Sequence, residues 1–145
     1  MSLPQITLTG NAVGDAELRF TASGVAVAKV RVACSERKKV GDQWEDGDTT
    51  YLDVTCWKQA AENMAESVIK GTTIVVTGKL KQRDYETNSG EKRTVYEVSA
   101  SAVAIDTTRQ VVHANKASRS GSQTDARKVD DPWATANEAV QNAPF

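Results

Sequence analysis

Apolar and polar side chains alternate in several short runs between residues 1 and 112, and this alternation constrains the fold more than any other feature. The runs are rich in Val, Ile and Thr, and clusters of Gly, Asn, Asp and Ser separate them. Because successive side chains of a β-strand point to opposite faces, the pattern predicts half-buried strands. We expect five of them, at residues 6–10, 25–35, 51–57, 73–83 and 94–105.

One segment breaks the alternation and predicts a helix. Between residues 58 and 70 the apolar side chains recur every three or four positions, at Ala61, Met64, Ala65 and Val68. Gly71 follows and is expected to cap the helix at its C-terminus. Five strands with a helix between the third and the fourth is the element order of an oligonucleotide/oligosaccharide-binding (OB) barrel. We therefore predict an all-β fold, a five-stranded OB barrel with one short α-helix.

The composition changes near residue 112. Residues 113–145 are dominated by Ala, Ser, Gln, Asn, Thr and Asp, with few aliphatic side chains. Such a segment buries too little apolar surface to offset the entropy that it loses on ordering. We expect an OB domain at residues 1–112 and a disordered C-terminal tail at 113–145, with a further short strand seeded at 110–112.

Strand parity also predicts which side chains the barrel presents to solvent. The apolar residues of the second and third strands have even numbers, which leaves Lys29 and Arg31, then Tyr51 and Trp57, on the opposite face. In the fourth strand the same rule predicts that four residues face outward: Lys79, Lys81, Arg83 and Tyr85. Aromatic rings stack on bases and basic side chains follow phosphates, so the pattern is typical of proteins that bind single strands. A duplex offers no free base faces.

Alternatives remain open for this face. A basic strand face is often only solvated, and an exposed aromatic ring can pack on a neighbouring strand or on a second subunit. Trp44 lies in the hairpin that Arg37, Lys38 and Lys39 begin, where it can clamp a base or anchor the turn. Tyr96 shares the parity of Val98 and is expected in the core.

Enzymatic chemistry has little support. Cys34 and Cys56 share the parity of aliphatic neighbours and are expected to be buried, and His113 is the only histidine. We find no metal-ligand spacing or phosphate loop, and we expect no acidic pair on the aromatic face. We predict no enzyme, no metal and no cofactor. The formal net charge of −1 would by itself argue against a polyanion partner, but strand parity gathers basic residues on one face.

Several short motifs resemble the bacterial single-stranded DNA-binding protein family, and its actinobacterial branch most. They are collinear from about residue 4 to 106: Gly10-Asn11, then residues 15–20 (DAELRF), 23–28 (SGVAVA), 57–63 (WKQAAEN), 70–72 (KGT) and 76–83 (VTGKLKQR). The resemblance implies an OB-fold homotetramer that binds single-stranded DNA without sequence preference or cofactor. It implies base-stacking roles for Tyr51, Trp57 and Tyr85, while Lys38 occupies the fourth stacking position. The predicted DNA-binding residues are Arg19, Lys29, Arg31, Lys38, Trp44, Tyr51, Trp57, Lys79, Lys81, Arg83 and Tyr85.

The end of the chain resembles the same family, whose members close on an acidic tip with a terminal Pro-Phe that docks replication and repair proteins. Pro144 and Phe145 are present and Asp130 and Asp131 lie upstream, but residues 141–143 (QNA) replace the usual acidic cluster. The resemblance therefore implies a partner-binding tail with weaker recruitment, as in a paralogue with a reduced acidic tip.

Together these patterns predict sequence-nonspecific binding and protection of single-stranded DNA in replication, recombination and repair. The alternative is an oligomeric OB-fold scaffold whose tail recruits partner proteins, and a nuclease is the weakest option. The N-terminus lacks a secretory signal and the chain has no run of about 18 apolar residues, so we expect no membrane association and a cytoplasmic, nucleoid-associated protein.

Overall fold

The alternating runs form the strands of one curved sheet. A computed structural model describes residues 1–116, and residues 117–145 lie outside the described part of the chain. The described elements are β1 Gln5–Ala12, β2 Glu17–Phe20, β3 Ala26–Val40, β4 Gln43–Trp57, α1 Lys58–Ser67, β5 Thr73–Glu86 and β6 Lys92–Ile105.

The sheet closes into a barrel because β1 pairs with two partners. The strand order is β1-β5-β6-β4-β3-β2, and β1 also pairs with β3 at Asn11 and Ala12. At this crossing the Ala12 N–H donates to the Thr72 carbonyl and the Val13 N–H donates to the Arg31 carbonyl, each at 2.9 Å. The ring β1-β5-β6-β4-β3, with its helix between the third and fourth strands in chain order, confirms the predicted OB barrel.

The short strand β2 is an element that the prediction of five strands does not include. All four of its residues are exposed, so its apolar side chains, Leu18 and Phe20, lie outside the core. Its backbone pairs with β3 instead, with Glu17 opposite Lys29 and Phe20 opposite Ala26. Residues 17–20 alternate polar and apolar side chains, so the sequence carries a short period-two signal for β2 that the prediction missed.

The core lies between the inward faces of the strands and α1. In the barrel parts of β3 and β4 the even-numbered residues face the core as parity predicts: those at 26–32, 54 and 56 are buried, and those at 34 and 52 are half-buried. The helix side adds Ala61, Met64 and Val68. Cys56 is buried and Cys34 half-buried, and burial raises the pKa of both thiols. A raised pKa keeps a thiol protonated and poorly reactive, which fits a packing role for both cysteines.

The helix is shorter than predicted, and Gly71 does not cap it. α1 ends at Ser67, and the C-cap residue Val68 has an extended backbone. Hydrogen bonds to the segment before β2 replace the helical ones beyond that point: the Ala16 N–H donates to the Val68 carbonyl at 3.0 Å and the Lys70 N–H to an Asp15 carboxylate oxygen at 2.8 Å. Gly71, with a φ of +88°, lies in the turn that follows.

Both long hairpins extend further than the alternation predicts. β3 and β4 stay paired to Val40 and Gln43, and β5 and β6 to Glu86 and Lys92. We call residues 36–48 the β3–β4 arm and residues 82–96 the β5–β6 arm. Their sequences are charged rather than alternating, so they pair through the backbone without an apolar face.

The segment after β6 departs from the prediction as well. Residues 110–112 form no strand. The Gln110 side-chain amide instead donates to the carbonyls of Thr73 and Asp106 at 2.7 Å and 2.6 Å. The predicted tail residues Asp130, Asp131, Pro144 and Phe145 lie outside the described residues. Within residues 1–116, no helix has the length and apolar character that crossing a bilayer requires.

Closure of the barrel depends on the close approach of β1 to β3 at Gly10. A Cβ atom at this position would lie 2.6 Å from the Ala33 carbonyl oxygen and 2.7 Å from a Val32 methyl carbon. We expect Gly10→Ala to destabilise the protein by roughly 1–3 kcal/mol or more, because the backbone of β3 must move to admit the methyl group. The measurement is the free energy of unfolding in urea.

Gly14→Ala is the matched control, since a Cβ there would meet no atom within 4 Å. Equal unfolding midpoints for the two variants would contradict the close approach of β1 and β3.

Candidate nucleic-acid interface

A groove of about 710 Å³ runs across the outer side of the barrel. Its floor is formed by outward-facing residues of β3, β4, β5 and β6, and one wall by β2 and the segment between β1 and β2. Five predicted DNA-binding residues line it: Arg19, Lys29, Arg31, Trp57 and Arg83. The barrel thus gathers into one surface residues that are far apart in the sequence.

Two aromatic side chains lie on β4 along this face. Trp57 pairs with Val27 and Tyr51 with Ala33, and each aromatic residue is about half-exposed. The guanidinium carbon of Arg31 lies 5.2 Å from the centre of the Tyr51 ring, a cation–π distance. Neither residue belongs to the core, so both present ring surface to the solvent side of the barrel.

The junction between β4 and α1 holds Trp57 at the end of the strand. Trp57 has an extended backbone and is also the N-cap of the helix, while Lys58 has a φ of +59°. A left-handed backbone is uncommon for a residue other than Gly, and it turns the chain sharply. The turn lets β4 remain extended as far as Trp57 before the helix begins.

An acidic pair lies on the aromatic face, so the prediction that none is present was wrong. Asp53 of β4 is in parallel register with Glu97 of β6. The Lys29 ammonium lies 3.2 Å from an Asp53 carboxylate oxygen and 3.5 Å from a Glu97 oxygen, and the Arg83 guanidinium lies 3.0 Å from the same Glu97 oxygen. Asp53 has the parity of Tyr51 and Trp57, so the sequence did carry its signal.

The β3–β4 arm has a bulge that decides which residues share the groove side. Ser35 pairs with Thr49, but the next aligned pair is Arg37 with Asp46. Between these two pairs β4 contains one residue more than β3. The extra residue reverses the parity of β4, and Trp44, opposite Lys39, joins the face of Tyr51. Trp44 is well exposed there.

Lys38 lies on the other face of this arm. Its partner across the ribbon is Glu45, and its ammonium lies 3.6 Å from a Glu36 carboxylate oxygen. Because neighbouring residues of a strand point to opposite faces, Lys38 points away from the side that carries Lys39 and Trp44.

The remaining predicted residues follow β5 beyond the groove. Lys79, Lys81 and Tyr85 are exposed and have the same outward parity as Arg83. Lys81 is opposite Glu97, and Tyr85 is opposite Arg93 near the end of the β5–β6 arm. They extend the face along one strand but do not line the groove floor.

Tyr96 is about half-exposed, which corrects the prediction that it lies in the core. It has the inward parity of Val98, but it pairs with Gln82 on the β5–β6 arm. The arm projects past the barrel, so inward parity there no longer leads to burial.

The groove offers no evident metal centre. Among residues 1–116, no three His, Cys, Asp or Glu side chains come together closely enough to hold an ion. Asp53 and Glu97 instead have Lys29 and Arg83 as their counter-ions. The side chains at this surface can stack, donate hydrogen bonds and form ion pairs.

Comparison with known proteins gives consistent results. A model described as the single-strand binding protein family matches residues 3–106. The single-stranded DNA-binding protein of Mycobacterium tuberculosis is 43% identical over 144 residues, which cover 90% of this chain and 87% of that protein. Single-stranded DNA-binding protein 2 of Streptomyces coelicolor is 46% identical over 118 residues, which cover 80% of this chain and 59% of that protein.

A solved structure agrees in fold. The crystal structure of the small single-stranded DNA-binding protein from Streptomyces coelicolor matches with a TM-score of 0.70 at 30% identity, covering 76% of this chain and 100% of that one. The residues that the family model matches, 3–106, include every strand of the barrel and every residue that lines the groove. The chain therefore belongs to the single-strand binding protein family.

Proposed function

We propose that this protein binds single-stranded DNA without sequence preference and protects it in replication, recombination and repair. The observation that carries the proposal is the pair of half-exposed rings, Tyr51 and Trp57, on one strand beside the cations Lys29, Arg31 and Arg83. Stacking on a ring is worth about 1–3 kcal/mol per base and tolerates any sequence. Membership of the single-strand binding family supports the same function.

The spacing of the rings suits an extended strand. Tyr51 and Trp57 are six residues apart on β4, so about 20 Å separate them along the strand axis. Arg31 and Lys29 lie between them on β3, opposite Asp53 and Thr55. A single strand laid along β4 would stack bases at the two rings while its phosphates pass the basic side chains.

The assembly that we propose is a homotetramer. The family resemblance supports it, and so does an uncharged stretch of the outer surface of β1 and β5, where Thr7 lies opposite Thr77 and Thr9 opposite Val75. Small uncharged side chains lose little solvation when two chains meet. We further propose that the protein is not an enzyme and that it binds DNA in the cytoplasm. We also propose that it recruits replication or repair proteins through its tail, at Asp130, Asp131, Pro144 and Phe145.

Removal of one ring should weaken binding without unfolding the protein. We expect Tyr51→Ala and Trp57→Ala each to cost about 1–3 kcal/mol of binding free energy, because each loses one stacked base. The measurement is fluorescence anisotropy of labelled oligo-dT. Tyr96→Ala is the control, since it removes an equally exposed ring that has the opposite, inward parity and so does not share the face of Tyr51 and Trp57. A folded Tyr51→Ala variant that binds like Tyr96→Ala would remove Tyr51 from the site.

Binding should also depend on salt. Each phosphate that Lys or Arg neutralises releases counterions, so the logarithm of the association constant should fall with the logarithm of salt concentration at about −0.7 per phosphate. A titration series with oligo-dT measures this slope. A flat response would argue against an electrostatic groove and in favour of the alternative, an OB-fold scaffold that binds proteins.

The arm should contribute through Lys39 rather than Lys38, because Lys39 lies on the face of Trp44 and Lys38 on the reverse face. We expect Lys39→Ala to reduce the salt slope by about 0.7, the loss of one phosphate contact. Lys38→Ala makes the same change of charge and should leave the slope close to that of the unmodified protein. A larger effect for Lys38→Ala would contradict the register of the arm.

A further inference from the structure

The groove is balanced in charge, which is unusual for a surface that binds a phosphate backbone. Four cations line it, and four carboxylates line it beside them: Arg19, Lys29, Arg31 and Arg83 against Asp15, Glu17, Asp53 and Glu97. Proteins that bind nucleic acid usually present an excess of basic residues there. The carboxylates at the centre of the site therefore need a functional explanation.

The two central carboxylates are more enclosed than the cations that they hold. The side chains of Asp53 and Glu97 are 16% and 17% exposed, whereas those of Lys29 and Arg83 are 46% and 60% exposed. The long cationic side chains can therefore turn toward a ligand in the groove while the short carboxylates stay on the strands. Glu97 contacts both cations, and Asp53 contacts Lys29 alone.

We infer that Asp53 and Glu97 compete with the DNA backbone for Lys29 and Arg83, and so restrain the affinity of the groove and its dependence on salt. The inference rests on the proposed function and adds to it a pair of residues that oppose binding. A phosphate that enters the groove must break the ion pair between each cation and its carboxylate. The cost of breaking that pair offsets part of the attraction between the cation and the phosphate. Added salt weakens the internal ion pairs as well as the contacts with DNA, so the carboxylates have less effect at high ionic strength.

The test uses the full-length chain with Glu97→Gln and Asp53→Asn, which keep shape and hydrogen-bonding capacity but remove charge. We expect Glu97→Gln to raise the affinity for oligo-dT roughly twofold to fivefold at low salt, a size typical of partly exposed ion pairs. Asp53→Asn should give a smaller rise, because Glu97 still holds Lys29 and Arg83 in that variant, whereas Glu97→Gln releases Arg83 and leaves Lys29 with Asp53. Both variants should show a steeper salt slope, and the gap from the unmodified protein should close as salt is added.

The matched control is the double variant Glu62→Gln, Glu66→Gln in α1, a helix that contributes no residue to the groove lining. It changes the net charge by at least as much, so a rise confined to the groove variants excludes a general charge effect. Equal or lower affinity of a folded Glu97→Gln protein would overturn the inference and assign the carboxylates a structural role. If the unmodified protein does not bind oligo-dT at all, the proposed function is overturned instead. The failure of the inference and the failure of the proposed function therefore give different results.

Discussion

The structure depends on the way β1 divides its backbone hydrogen bonds between two strands. Most of β1 pairs with β5, and its last residues pair with β3, so the sheet has no open edge between those strands. Gly10 makes this crossing possible because the two backbones approach too closely for a side chain. Closure encloses the inward residues of every ring strand, and the same closure curves the outer face on which the groove lies.

Core and groove are two sides of the same strands. Val30, buried in the core, is flanked along β3 by Lys29 and Arg31 on the outer face, and Val54 is flanked in the same way by Asp53 and Thr55. The packing that orders the inward residues therefore also sets the spacing of the outward ones. A surface built on this scaffold needs little rearrangement to present rings and cations at fixed intervals, which limits the ordering cost of binding.

Much of this organisation could be predicted from periodicity. Alternation located the five ring strands, and helical spacing located α1. Alternation also predicted that Tyr51, Trp57 and Arg83 face outward. Two failures have physical causes: β2 lies outside the five-stranded ring with its apolar side chains exposed, and Tyr96 has inward parity on an arm that has no core beneath it. The bulge that sets Trp44 on the face of Tyr51 has no signal in the alternation either. Each of these features depends on the neighbouring strand, and the sequence of a single strand does not show what its neighbour is.

The sequence by itself determined the fold class, the inward face of each ring strand and the presence of rings and cations on the other face, because a period of two is a local property of the chain. Only the tertiary structure decided which of those outward residues meet. Glu97 comes from β6, yet parallel pairing sets it beside Asp53 and within reach of Lys29 and Arg83. The balanced charge of the groove is thus a property of strand register, since ion pairs form between residues that only the closed barrel brings together.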